Sequence, residues 1–575
     1  MFRISLLNRM VRRATPVFMY LLVAIGSSTQ GNDLTHQGLL ATSNRGMVVS
    51  VSRPASDVGQ QILDAGGNAV DAAVAVGFAL SVTWPEAGNI GGGGFMLVHP
   101  SDGKPPSVID YREKAPGAAT VEMFATGDES PYLHVGVPGT VRGLKVAHQR
   151  FGRLSWENVV RPSVDLARDG FVVSEELAKS LNGIIEKYPN NEELVRVFAQ
   201  DRGQRKWRSG DRLVQSDLAE TLDSIAVNGA DAFYTGKIAD AITTEMKRGG
   251  GLITTADLAA YQAVERVPVH GTYRGYDVFA SPPPSSGGTA LVQMLNTAEG
   301  FVLRREGRWS VRTLHIMIEC MRRAYCDRAR YLGDPEFNQI PSHLVTKDYA
   351  SKLKETISTS QATSSATLGA DILSPGDRLH TTHFSVIDQA GMAVSNTYTL
   401  EDDFGSRIVV RGAGFLLNDE MGDFNPKPGV TDATGLIGTR PNLVAPGKRM
   451  LSSMCPVVVS QNGRVVLVTG SPGGRTIINT LFCVVMNVLE FEMPLREAID
   501  APRMHQQWMP DAVRMEAGLL NGHALEVTKL RGMGHTVDDK PRIQGDAHSI
   551  FVEQKSGNRL GVVDPRRSGW AAGQE

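Results

Sequence analysis

The chain has 575 residues, 42% of them hydrophobic and 21% charged, which is enough apolar material to bury a large core. A formal net charge of −2, with no long basic run beyond the N-terminus, excludes an electrostatic case for nucleic acid or an anionic membrane as partner. Four cysteines, without C-x-x-C or a His/Cys cluster of zinc spacing, exclude a disulfide framework and argue against a structural metal.

At the N-terminus Arg3, Arg9, Arg12 and Arg13 precede an apolar run at 16–26, followed by S-S-T-Q-G-N. This reads as a secretory signal within 1–30, cleaved between Gly26 and Gly31. The run falls short of the ~20 residues a membrane span needs. An exported protein, periplasmic or extracellular, is expected, with an uncleaved anchor as the alternative. Residues 47–51 read as a strand. Ser56 opens a helix that Gly66 and Gly67 end. Asn68 caps a second helix with Asp71 in its first turn, and 69–80 is apolar nearly all round, hence buried on most sides.

The glycines at 88–94 lack both the P-loop lysine and the G-x-G-x-x-G spacing. They are expected to let the backbone pass close to another segment before a strand at 95–99. A strand at 107–111 ends at Arg112, which serves either a structural ion pair with Glu113 or as a fork for a carboxylate. Residues 141–246 are mainly amphipathic helix and carry no evident chemistry. The connector 281–288 leads into a helix at Thr289. Over 312–332, Leu314, Met317, Ile318, Met321 and Tyr325 form a core stripe, leaving Arg322, Arg323, Asp327 and Arg330 for a solvated face. Cys320 and Cys326 lie about 9 Å apart along that helix, too far to bridge; Cys455 and Cys483 lie in apolar surroundings.

From 356 the chain is a low-complexity Ser/Thr stretch, expected to be a mobile surface strand up to 380. It runs into two alternating segments with Phe384, Val386 and Val394 on the apolar beat of a hairpin. Taking 389–392 as the loop pairs Asp388 with Ala393 and sets Thr381 level with Leu400, beside Thr399. A leader feeding a threonine at a strand start is a place for cleavage, between His380 and Thr381. The exposed α-amine, with an unperturbed pKa of about 8, would be a base beside its own hydroxyl nucleophile. The bland alternative is a Thr-rich exposed hairpin. Further on, Glu420 and Asp423 sit three apart in a turn, as a metal site, a solvated surface or an ammonium clamp. The strand at 466–470 runs into S-P-G-G-R, where Gly473 and Gly474 either make a structural turn or aim N–H groups at one oxygen.

The motifs T-T-H-F-S-V-I-D, N-T-Y-T-L, L-L-N-D-E-M-G-D-F, L-S-S-M-C-P and T-G-S-P-G-G-R, with G-G-N-A-V-D-A-A-V-A, D-Y-R-E-K-A-P and V-G-V-P-G-T-V-R-G-L upstream, resemble the γ-glutamyltranspeptidases in family order over roughly 45–570. The resemblance implies an α/β fold, the four-layer αββα sandwich of N-terminal-nucleophile hydrolases, built jointly by a large fragment (31–380) and a small one (381–575). It implies that Thr381 attacks the γ-glutamyl amide of donors such as glutathione and passes the acyl group to water or to an amino acid or dipeptide acceptor. Thr399 would bond the nucleophilic residue, and Gly473 and Gly474 would steady the oxyanion. Arg112, Ser452 and Ser453 would hold the α-carboxylate, while Glu401, Glu420 and Asp423 face the α-amine. No cofactor is implied. Two departures stand out: Glu401 occupies the family's usual asparagine position, and Thr434 the place of a lid tyrosine. A related acylase acting on a β-lactam side chain or poly-γ-glutamate, or an inactive secreted homologue, remains open.

Overall fold

The computed structural model describes residues 38–124, 130–369, 381–426, 429 and 439–575. The signal sequence, His380 and Thr434 lie outside the described residues. Two seven-stranded antiparallel sheets form the centre. In spatial order the first runs Leu40–Ser43, Arg559–Val562, Ser549–Val552, Arg464–Thr469, Val457–Gln461, Tyr276–Ala280 and Val269–Tyr273. The second runs Trp570–Gly573, Met47–Ser50, Thr382–Ile387, Ala393–Thr399, Gly93–His99, Ser107–Asp110 and Val264–Arg266.

Strand alternation makes the layers. In the second sheet Val48, Met96, Val98, Ile109, Phe384, Val386, Val394 and Tyr398 join a core with helices Arg53–Asp64, Ala69–Thr83, Thr140–Phe151 and Trp156–Asp169. Their neighbours Met47, Val49, Phe95, Leu97, Ile387 and Ala393 face the other way, into a core shared with the first sheet and helices Gly287–Glu299, Val311–Tyr331 and Thr476–Leu489. Helix, sheet, sheet, helix is the expected αββα order. Ala69–Thr83 is buried at every position, because it is covered on all sides, and Asn68 and Asp71 close a capping box at its start.

Both sheets interleave strands from before 370 with strands after 381. Thr382–Ile387 lies between Met47–Ser50 and Ala393–Thr399, and the latter pairs on with Gly93–His99. A break ahead of Thr381 would therefore leave two fragments locked in common sheets.

Three expectations need correction. The hairpin register is one residue off: Ile387 pairs with Ala393 and Thr382 with Tyr398. Gly391 takes a φ of +90°, so the loop closes within 389–391, and Asp388 N–H already donates to Met392 O at 3.0 Å. Continued one step, this register sets Thr381 opposite Thr399. Second, the helix Val311–Tyr331 has no solvated face at Arg322, Arg323 and Asp327, all buried. Glu319 and Asp511 take the arginines; Gln293 and Tyr349 donate to Asp327 at 2.6 and 2.8 Å.

Third, the Ser/Thr stretch is held over its described part, 356–369. Arg323 donates to Thr356 Oγ1 and O, each at 2.8 Å; Trp508 Nε1–H donates to Ser365 O at 2.8 Å, and Ser365 N–H to Asp511 at 2.8 Å. Composition counts apolar surface and misses such polar anchoring. His315, Glu319 and His535 meet here with ligand atoms within 4.8 Å. The cluster is a poor cation site, since Arg322 and Arg323 already pair with Glu319. Instead Arg322 Nη2 donates to His535 Nδ1 (3.3 Å), His535 Nε2–H to His315 Nδ1 (2.8 Å), and His315 Nε2–H to Ser358 O (2.7 Å), a chain that needs both rings neutral.

Burial, then Arg322 and His315, lower the pKa of His535 from 6.5 to about 4. Between those values the unfolded chain binds the proton and the folded one does not, so stability is full above about pH 6.5 and falls as pH drops towards 4. The loss should reach ~3 kcal/mol at most. His535→Asn should flatten the fall of Tm between pH 7 and pH 4.5; an unaltered slope would assign it to other groups.

Candidate active site

The nucleophile candidate is placed by close backbone contact. A Cβ on Gly92 would lie 2.0 Å from Thr399 O, and one on Gly91 2.1 Å from Leu416 O, so only glycines let this loop lie against the end of the hairpin. Asn89, which sequence reasoning passed over, fixes the loop there. It donates to Thr399 O at 2.9 Å and accepts from Gly92 N–H at 3.0 Å and Thr140 Oγ1–H at 2.7 Å. Thr399 Oγ1 accepts from Glu401 N–H at 2.8 Å. Thr381 and Thr399 are both buried and both line one cavity of about 270 Å³.

That cavity gathers Thr381, Thr399, Arg112, Glu401, Glu420, Asp423, Ser452, Ser453 and Gly474 from distant parts of the chain. A larger groove of about 1200 Å³ between the helices Arg53–Asp64 and Trp156–Asp169 contains none of them.

Arg112 follows the strand Ser107–Asp110 and is 1% exposed. Its Nη atoms are ion-paired with Glu420 and Asp423, Glu113 lies at 3.5 Å, and the guanidinium donates to Met450 O (3.3 Å) and Leu451 O (3.4 Å). Cation and acids thus form one cluster rather than two separate poles, because a guanidinium out of water is tolerated only with partners on its donors. Burial opposes the charge on Arg112, but Glu420, Asp423 and Glu113 outweigh it and raise its pKa. Burial pushes Glu113 up to about 8 against the pull of Arg112, and pushes Glu420 well above the carboxylate range. Arg112 makes the expected ion pair with Glu113, and it also lines the cavity.

Glu401 is 6% exposed, lines the cavity, and adds to the field that raises Arg112. Its φ is +82°, a region that asparagine enters more readily than glutamate.

Next to Leu451, Ser452 N–H donates to Pro284 O at 3.0 Å, tying the 451–454 run to the connector. Ser453 Oγ accepts from Arg328 Nη2 at 3.1 Å, and Arg328 Nε donates to Ser286 Oγ at 2.9 Å. Arg328 escaped the sequence reading although it lies three residues after Tyr325, on the same helical stripe. A charge on an apolar stripe was the available signal. After the strand Arg464–Thr469 the chain turns through Gly473 and Gly474, at φ +125° and +53°. Their carbonyls accept from Thr476 N–H (3.0 Å) and Ile477 N–H (3.1 Å) at the head of Thr476–Leu489. That turns the carbonyls into the helix and leaves the N–H side of the turn on the other flank, where Gly474 lines the cavity.

The Gamma-glutamyltranspeptidase profile matches residues 55–574. The chain belongs to the γ-glutamyltranspeptidase family. The glutathione hydrolase proenzyme of Escherichia coli K12 is 44% identical to it over 534 residues, 91% of each chain. Cephalosporin acylase from Bacillus halodurans superposes with a TM-score of 0.82 at 26% identity, covering 96% of this chain and all of that one. Helicobacter pylori γ-glutamyltranspeptidase aligns at TM-score 0.52 and 42% identity, over 54% of this chain and 91% of that one. The fold is thus the N-terminal-nucleophile hydrolase sandwich of this γ-glutamyltranspeptidase and its acylase neighbour. Among the described residues no helix is long and apolar enough to cross a membrane.

Proposed function

We propose that the chain is a self-cleaving γ-glutamyltransferase and glutathione hydrolase, exported to the periplasm or cell exterior and working as a heterodimer of 31–380 and 381–575. One observation carries this reading: Thr381, at the head of its strand, shares a single cavity with a buried guanidinium–carboxylate cluster and with Gly474. Glutathione donors and amino acid or dipeptide acceptors are the substrates.

Thr381 Oγ adds to the carbonyl of residue 380, the peptide C–N bond breaks so that the α-amine leaves with the hydroxyl proton, and water then hydrolyses the ester, freeing the Thr381 hydroxyl and a carboxylate on residue 380. That amine then takes the Thr381 hydroxyl proton as Oγ attacks the γ-carbonyl of the donor. Gly473 and Gly474 N–H groups take the developing oxyanion, and Thr399 orients the nucleophile. The leaving amine recovers the proton, and water or an acceptor amine attacks the γ-glutamyl ester in turn. Arg112, Ser452 and Ser453 hold the donor α-carboxylate; Glu401, Glu420 and Asp423 face its ammonium. These steps use only groups of the chain. An acylase substrate lacking the α-ammonium and α-carboxylate would leave that charged cluster unanswered, which favours the γ-glutamyl reading.

A γ-glutamyl-anilide assay with and without glycylglycine, beside a denaturing gel, tests the proposal: turnover enhanced by the dipeptide and two bands are expected. An intact chain without turnover would leave the inactive-homologue reading.

Glu401 supplies a second test. Ionised acids attract the donor ammonium, so donor KM should fall as pH rises through the range in which Glu113 and its neighbours lose protons. Glu401→Asn removes one acid and relieves its positive φ, so KM should vary less with pH while kcat and Tm hold. Identical pH profiles would remove Glu401 from the site.

A further inference from the structure

Gly473 and Gly474 stand side by side at positive φ, so no Cβ flanks the peptide between them. Such a peptide flips readily, because neither neighbour resists the left-handed region. Its direction decides what the cavity meets. The peptide is trans, so its N–H, on Gly474, points away from its C=O, on Gly473. A flip would replace a hydrogen-bond donor with a carbonyl oxygen that repels a forming oxyanion. The peptides on either side have their own anchors. Ser471 Oγ–H donates to Pro472 O at 2.7 Å while accepting from Asp546 N–H at 2.9 Å, and Ile477 N–H donates to Gly474 O at 3.1 Å. The Gly473–Gly474 peptide is held by Thr476 twice over. Its N–H donates to Gly473 O at 3.0 Å and its Oγ1–H to the same oxygen at 2.8 Å, which uses both lone pairs of that carbonyl. Gly474 and Ile477 line the cavity, whereas Thr476, buried at the first position of the helix, turns its hydroxyl back onto the turn. Threonine or serine in a helix can make this bond to the carbonyl three residues back, and valine cannot. The fit is close: a Cβ on Gly473 would lie 2.5 Å from Thr476 Oγ1.

We propose that Thr476 is a positioning residue for the transfer reaction: by pinning Gly473 O, its hydroxyl aims Gly474 N–H at the oxygen that gains charge as Thr381 attacks. The inference rests on the γ-glutamyl transfer reading and its oxyanion assignment, and deepens it by naming what sets the direction of the donor. The carbonyl oxygen of a bound substrate carries full negative charge only in the tetrahedral state, so ground-state binding makes little use of that N–H. Loss of the hydroxyl should therefore slow the chemical step and leave donor binding alone.

The test compares the wild type with Thr476→Val, which has the same shape without the hydroxyl, and with Thr476→Ser, which keeps it. Each is assayed on a γ-glutamyl anilide as the matured, two-band enzyme. In Thr476→Val kcat should fall about tenfold, less than the roughly 10²–10³-fold that loss of an oxyanion donor costs, because the backbone N–H of residue 476 still holds the carbonyl. Donor KM should stay within about twofold, and Thr476→Ser should return most of the rate. A boronic acid analogue of glutamate, whose boron takes Thr381 Oγ to give a tetrahedral anion, should lose affinity in Thr476→Val by the factor lost in kcat/KM, while glutamate itself should not. Equal kcat in wild type and Thr476→Val, a rise in KM at constant kcat, or boronate and glutamate affinities that change alike would overturn the proposal. If the Val chain stays uncut, Thr476→Ala takes its place, and a Thr476→Ser enzyme slowed by that same factor overturns the proposal by itself. A wild type that turns over no γ-glutamyl donor would instead overturn the parent reading.

Discussion

Thr381→Ala is expected to give one unbroken chain with no measurable turnover of a γ-glutamyl anilide, a loss of at least about 10³-fold. In the proposed mechanism the same hydroxyl attacks twice, first the preceding peptide carbonyl and then the donor, so one substitution would remove both events. The fold should survive it. Thr381 precedes the strand Thr382–Ile387, and the pairings of that strand with Met47–Ser50 and Ala393–Thr399 are backbone bonds that alanine leaves alone. The gel and the assay check this together. A variant that still splits at 380/381 would assign the cut to a separate protease, and a cut variant that is active would remove Thr381 as nucleophile. Thr381→Ser should restore both events in part.

Arg112→Lys is expected to raise donor KM by about 10²-fold while the chain still matures. Lysine keeps the charge but not the fork. One ammonium cannot reach Glu420, Asp423, Met450 O and Leu451 O at once from a planar set of donors, nor present two parallel bonds to a substrate carboxylate. Steady-state kinetics on the anilide read the change, with kcat less affected than KM because the proposed contact would hold ground state and transition state alike. Arg112→Ala should do more: it leaves Glu113 and Glu420 buried without their cation and should cost ~3–5 kcal/mol of stability. An unchanged KM in Arg112→Lys would confine Arg112 to its ion pairs.

Local chemistry was legible in the residues themselves. The cap at Asn68, the all-buried helix after it, the strand just ahead of Arg112 and the glycines at 91–94 follow from side-chain shape, backbone freedom and apolar period, which act over a few neighbours. The motif set named the family and hence the layer order and the residues gathered around Thr381. What lay beyond the sequence depended on partners remote in the chain. The Ser/Thr leader looked unable to order itself, yet Trp508 and Asp511 hold its described part at Ser365 from far downstream. Arg322 and Arg323 looked solvated, but Glu319 and Asp511 let them be buried. The hairpin register turned on a single backbone angle at Gly391, which shifts every pair by one without changing the apolar alternation.

The sequence by itself determined the likeness to its family and which residue types crowd the site, and it singled out Thr381 as the candidate nucleophile, because those are matters of chemical identity and short spacing. Tertiary structure alone decided that Arg112 meets Glu420 and Asp423 in one cluster and that Arg328 is bonded to Ser453 beside the cavity they share. These groups lie up to hundreds of residues apart, and only the packing of two interleaved sheets brings them within bonding distance, where burial then sets their protonation.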